Sequence, residues 1–264
     1  MLRKITLILL VIYGLLALYS TVSLAATHSV PSFMTPLATL TGFIVALLHA
    51  GQRQGWGRAL LLLSLVFMVS LTFESVGVAT GLVYGPYHYT ELLGLKFMGM
   101  VPYLIAVAWF MMMYPSFVMA DWITPASLKG AGRLLAIAAI GGLVMTSWYV
   151  VLDPIMVAGK NWVWDVEGDY FGVPLQNFWS WWLTVFTTFM IYLLITRKGP
   201  SPTDATFDRQ ALALYMITGC SNVIVALTGG LGGPALAGFF AMTPWVIWAW
   251  AWAWVRMGKG ELLN

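Results

Sequence analysis

Eight runs of apolar residues constrain what this chain can fold into. They lie at about 5–24, 33–50, 59–80, 97–119, 132–152, 177–196, 209–228 and 236–255. Each is close to the ~20 residues a helix needs to cross a bilayer. In lipid every backbone N–H and C=O must be satisfied within its own segment, which a helix achieves. The runs therefore predict an all-α, polytopic transmembrane bundle of eight helices, as a single domain over residues 1–264. Seven is the fallback count, because the second run carries Pro36 and several threonines.

Composition removes the soluble alternative. Only 9% of residues are charged and the mean hydropathy is +0.84, against about 25% charge in soluble domains. The net charge of +3 is no nucleic-acid signal, since the basic residues flank apolar runs, where membrane orientation explains them. Cys220, the one cysteine, excludes an intrachain disulfide and a cysteine-based metal cluster. The first run follows Arg3 and Lys4 like a signal peptide, but it is long enough to span and is expected to remain as the first helix.

Loop charge predicts the orientation. With both termini cytoplasmic, Arg3, Lys4, Arg53, Arg58, Lys129, Arg133, Arg197, Lys198, Arg209, Arg256 and Lys259 fall inside, 11 of the 13 basic residues. Lys96 and Lys160 fall outside, as the positive-inside rule favours. A multi-pass protein of the cell membrane is expected. The acids gather at the other side: Glu91, Asp153, Asp165, Glu167 and Asp169 all lie at the outer end.

Glu74 stands apart, inside the third apolar run in TFESVGVATGLVYGPYHYT, residues 72–90. Placing an acid at a helix centre in lipid costs roughly 2.5 kcal/mol or more, and such residues mark function by default. The competing reading is a structural one, a hydrogen bond to a neighbouring helix. At the rise of an α-helix Glu74 lies ~9 Å from the outer end of its helix. Gly77, Gly81 and Gly85 have small-xxx-small spacing, which predicts close approach of a neighbouring helix. Ser70, Glu74, Gly77, Val78 and Gly81 share one helix face, so Glu74 is expected to point into the bundle.

Other polar side chains fall at similar depth. Asp153 is expected to end the fifth helix, Asn177 begins the sixth, and Asn222 lies in the outer half of the seventh. Tyr84, Tyr87, His88 and Tyr89 form the turn after the third helix, and Lys96 is expected to begin the fourth. Each has a bland alternative: Asp153 as a solvated helix end, Asp165 and Asp169 as solvated loop acids, Asn222 as interhelical glue. His28 and His49 read as incidental. His88 with one carboxylate supplies too few ligands for a metal site. The loop from Asp153 to Asn177, rich in aromatics and acids, is expected to fold back over the membrane surface as a lid or interfacial element. The 14 Trp, 14 Phe and 11 Tyr suit an interfacial belt, or the lining of a site for a long apolar ligand or a carbocation.

Two segments carry a resemblance. ESVGVATGLVYGPYHYTELLGLKFMGMVPYLIAVAW and WVWDVEGDYFGVPLQNFWSWW resemble the signatures of an integral-membrane carotenoid biosynthesis family whose characterised members are carotenoid end-group hydratases. The resemblance implies addition of water across the terminal isoprenoid double bond of an acyclic carotenoid, giving a tertiary alcohol. That chemistry needs a general acid, a tertiary carbocation and a held water, and no redox cofactor or metal. An acid that carries its proton near neutral pH suits it, and Glu74 is the best placed donor. On this reading Asp153, Asp165 or Asp169 positions or deprotonates water, and His88 with Tyr84, Tyr87 and Tyr89 relays protons or orients groups. Trp164, Phe171 and Trp179 stabilise the cation, while Lys96, Asn177 and Asn222 contact substrate. The partners are then a long polyene, water and membrane lipid, with no nucleic acid and the oligomeric state open. Two rivals remain. A cyclase would share the protonation but exclude water. A binding or transport protein would bind pigment without changing it. Prenyl transfer is disfavoured, because no D-D-x-x-D run is present.

Overall fold

The structure, a computed structural model, describes residues 1–196 and 204–261, and side chains as far as residue 254. Eight long helices are described: α1 (Leu2–Thr27), α2 (Met34–Gln54), α3 (Trp56–Thr80), α4 (Tyr103–Ile123), α5 (Gly130–Ala158), α6 (Leu175–Thr196), α7 (Ala205–Thr228) and α8 (Gly232–Glu261). All eight are long and apolar enough to cross a membrane, so the eight-helix reading holds and the second run is among the candidate spans. An even number of helices brings the start of α1 and the end of α8 to one side of the bundle. There Arg3 bonds Asp204 at 2.5 Å. Asp204 caps α7, its carboxylate accepting the Thr206 and Phe207 backbone N–H groups, two donors that a helix start leaves unpaired. Of the basic residues used to orient the chain, Arg197 and Lys198 lie outside the described residues, as do the side chains of Arg256 and Lys259.

Helix α4 is the centre of the bundle. It packs against α2, α3, α5, α7 and α8 and is buried continuously from Trp109 to Ile123. Its sequence WFMMMYPSFVM is apolar all round, the pattern of a helix enclosed by protein on every side. By contrast, α1 leaves Leu7, Ile8, Val11, Leu15, Leu18 and Val22 exposed, a stripe suited to lipid.

Three expectations are corrected. Helix α5 runs on to Ala158 with Pro154 inside it, so Asp153 is a buried mid-helix residue and not a solvated end. Helix α4 starts at Tyr103, and Lys96 lies in strand β2 (Lys96–Phe97). That strand pairs with β3 (Val101–Pro102) about Gly99 at φ 73°. The third correction concerns the glycines. Gly77 packs against the ring of Tyr84, where an added Cβ would come 2.7 Å from Tyr84 Cδ2. Gly81 ends α3 in the left-handed conformation at φ 69°, and Gly85 turns the chain at φ 107°. The small residues thus admit the chain's own aromatic turn, not a neighbouring helix.

That turn leads into strand β1 (Tyr87–Tyr89), which pairs antiparallel with β4 (Trp162–Trp164) from the loop after α5. Tyr87 faces Trp164, His88 faces Val163 and Tyr89 faces Trp162. Asp165 N–H donates to the Pro86 carbonyl at 2.9 Å and Thr90 N–H to that of Asn161 at 3.1 Å, extending the ribbon at each end. The expected fold-back of the long loop is therefore a β-ribbon over the ends of α3 and α5. Side chains alternate across a strand, so Tyr87 and Tyr89 are buried while His88 is exposed.

Candidate active site

Glu74 is 2% exposed and accepts from three neutral donors. Tyr87 and Tyr89 donate their hydroxyls to Oε2, the Tyr89 contact being 2.9 Å. Trp109 Nε1 donates to Oε1 at 3.1 Å. Among the described residues, no lysine, arginine or histidine is a partner of Glu74. The geometry has a local cause: the strand period turns residues 87 and 89 to the same side, above a helix that ends one turn past Gly77. Burial holds both tyrosine hydroxyls well above the usual tyrosine range. Both therefore stay protonated donors.

A second acid sits in a parallel cage. Asp153 is fully buried and accepts from Trp162 Nε1 at 2.7 Å and from the Asn177 side-chain amide. An aromatic stack joins the two cages. Trp109 stacks on Trp181 with ring centroids 3.9 Å apart, and Tyr149, one turn before Asp153, stacks on Trp181 at 3.3 Å.

Beside both cages lies a cavity of about 680 Å³, within the range of small-molecule sites. Tyr89, Trp109, Trp148, Trp162 and Trp181 line it on one side and Tyr13, Thr218, Ser221 and Asn222 on another. His28, Ser29, Asn161 and Gly229 place its rim at the loop end of the bundle. Neither acid is on the wall. Glu74 stands one side chain behind it through Tyr89 and Trp109, and Asp153 one side chain behind it through Trp162.

The remaining sequence candidates divide sharply. Tyr84 is buried behind the cage and bonds Thr184 at 2.9 Å. Trp164 packs on Tyr87 with centroids 5.0 Å apart. Lys96 Nζ donates to the Tyr89 carbonyl at 2.9 Å and to Glu91 at 2.7 Å, fastening β1. His88 and Asp165 pair at 2.9 Å on the outer face of the ribbon, and Asp169 is exposed. Phe171 is exposed, with its ring over Gly233. Trp179 is exposed and stacks on Trp182. Of the sequence-predicted site residues, only Tyr89 and Asn222 line the cavity.

Sequence reasoning missed Trp109, Trp148, Trp162, Trp181 and Tyr149. A signal was present, because a buried acid needs donors, and Trp109, Trp162 and Trp181 all fall inside the two signature segments. It also read Arg53 and Arg133 as orientation charges alone, passed over Asp121 and Asp208, and treated His49 as incidental. His49 is buried, bonding Tyr114 Oη at 2.7 Å and the Phe207 carbonyl at 3.0 Å.

Fold and site define a class: a multi-pass membrane protein with two caged acids beside an aromatic cavity. Residues 33–244 match the family described as carotenoid biosynthesis protein, and the chain belongs to that family. It is also similar to the bisanhydrobacterioruberin hydratase of Haloarcula japonica, with 30% identity over 156 residues, covering 59% of this chain and 48% of the relative. The chain thus spans about half the length of that curated relative. No solved structure matches.

Proposed function

We propose that the protein is a carotenoid hydratase, adding water across the terminal isoprenoid double bond of an acyclic carotenoid end group to give a tertiary alcohol. The observation that carries this reading is Glu74: a buried acid held by neutral donors only, with one of them, Tyr89, on the wall of an aromatic cavity. Family membership and the hydratase relative support it.

The chemistry follows from that placement. In the reactive state Glu74 carries the proton and donates it to Tyr89 Oη, the reverse of the resting bond, and Tyr89 passes its own hydroxyl proton to the less substituted alkene carbon as it takes the Glu74 proton. The π bond breaks, a C–H bond forms and a tertiary cation remains. Trp109, Trp148 and Trp181 line the cavity, and a ring face that meets the cation there gains about 2 kcal/mol or more when desolvated. Water attacks the cation, and the resulting oxonium loses its proton to a second water. Glu74 is then recharged through Tyr89. One alkene and one water become one alcohol, with no electrons gained or lost, so the step calls on no redox cofactor. Asp153 orients Trp162 and Asn177 and so holds the cavity wall. The protein lies in the cell membrane with both termini cytoplasmic, on the strength of the loop charges.

The test is incubation of purified protein with an acyclic carotenoid in detergent. Product heavier by one water per end supports hydration. An isomer of unchanged mass means cyclisation, and unaltered bound pigment means a binding protein; either result removes the hydratase reading.

A further inference from the structure

The hydration reading leaves the attacking water unplaced, and the cavity has a polar wall that the acid does not use. The amide nitrogen of Asn222 is buried with no hydrogen-bond partner among the described residues, although Asn222 lines the cavity. A buried unpaired donor in a folded protein calls for an explanation. Its neighbours on the same wall are hydroxyls. Ser221 Oγ lies 3.3 Å from Thr21 Oγ1, and Thr218 Oγ1 lies 2.7 Å from Tyr13 Oη. Tyr13, Thr218 and Ser221 all line the cavity. This wall comes from α1 and α7, which pack on each other and not extensively on α3 or β1, the elements that carry Glu74 and Tyr89. Between the two polar walls the lining is apolar and aromatic, with Ile105, Ala108, Met111, Trp148, Leu152 and Trp181.

We propose that Asn222, with Ser221, holds the water that attacks the cation, so that proton and water reach the end group from different walls of one cavity. An ordered water in such a site needs two to four polar partners. Here Asn222 Nδ2–H donates to one lone pair of the water, and the water donates to Ser221 Oγ or Asn222 Oδ1. The second lone pair is left to form the C–O bond. A site without this wall would still make the cation but would release it by losing a proton from a neighbouring carbon, regenerating an alkene. Asn222 is in this sense a positioning residue for water, separate from the proton donor.

The inference rests on the hydration reading, and the experiment separates the two. Wild type, Asn222→Leu and Glu74→Gln are incubated with an acyclic carotenoid in D2O, and both alcohol and deuterium in recovered polyene are read by mass. Wild type should give alcohol. Asn222→Leu should lose alcohol by about 10- to 100-fold, the effect of a lost hydrogen bond to a reacting group, while deuterium still enters the end group of recovered polyene. Glu74→Gln should show neither. Two results overturn the proposal: Asn222→Leu with wild-type alcohol yield, or Asn222→Leu folded yet without deuterium exchange. Ser221→Ala, which removes only a hydroxyl, is read the same way if Asn222→Leu does not elute as a folded protein. Wild type that forms no alcohol overturns the hydration reading itself.

Discussion

Two pairs of buried carboxylates lie at opposite ends of this bundle, and they are handled in opposite ways. At the loop end, Glu74 and Asp153 are bonded by phenols, indoles and an amide. At the other end, Asp121 and Asp208 are matched by arginine. Arg53 reaches Asp208 at 2.9 Å and Asp121 at 3.0 Å, and Arg133 reaches Asp121 at 2.7 Å. This second cluster ties α2, α4, α5 and α7 together, with His49 and Tyr114 packed beside it. A buried charge met by a counter-charge is a closed unit: removing either partner strands the other. A buried acid met only by neutral donors can hold or release a proton with no ion pair to break. The difference separates an end that, on the proposed function, transfers a proton from an end held by ion pairs.

The largest expected effect that would break this comparison is at Glu74. Glu74→Gln keeps shape and most hydrogen bonding but carries no transferable proton, so turnover should fall by about 10²–10⁴-fold, the range for loss of a general acid. The protein should remain folded by thermal melting in detergent. A variant with full activity would put Glu74 among the structural acids.

Arg53→Met should show the reverse pattern. It strands Asp208 and half of Asp121, and breaking a buried pair in this way costs about 3–5 kcal/mol. The measurement is the melting temperature in detergent, and an unchanged value would dissolve the contrast between the two ends. Whatever folds should retain activity per molecule.

Tyr89→Phe and Tyr87→Phe sharpen the proton path. Both remove a donor to Glu74, but only Tyr89 lines the cavity. Turnover should drop by about 10-fold or more in Tyr89→Phe and clearly less in Tyr87→Phe. Equal losses would mean that the two tyrosines serve the cage and not a relay. The smallest effect belongs to His88→Ala, which removes a side-chain contact with Asp165 exposed on both sides at 56% and 50%. Exposed pairs contribute about 0–1 kcal/mol, so stability and turnover should stay near wild type across added salt.

Several features could be read along the chain because their cause is local. Apolar runs of spanning length predict eight helices, and eight are described. The depth of Glu74 follows from helical rise, and its inward direction from the face it shares with Ser70 and Gly77, all three buried. The two signature segments pointed to the family that the chain belongs to. Their aromatic residues were legible as a group without any means of telling wall from surface. Trp181 and Trp179, two residues apart, are 7% and 62% exposed.

Only the tertiary structure decided what surrounds each acid. The donors to Glu74 lie 13, 15 and 35 residues away along the chain, and Asn177 lies 24 residues from Asp153. No periodicity connects positions at such separations. The ribbon that delivers two of those donors is three residues long on each strand, too short for an alternating pattern to stand out among helices. Arg53, at a polar helix end, looked like an orientation signal until folding set it between two aspartates. Hydrophobic burial acts on each segment in turn and can be read from its own residues. A cage for a buried acid exists only once distant segments have met, because its polar partners are satisfied by one another and by nothing local.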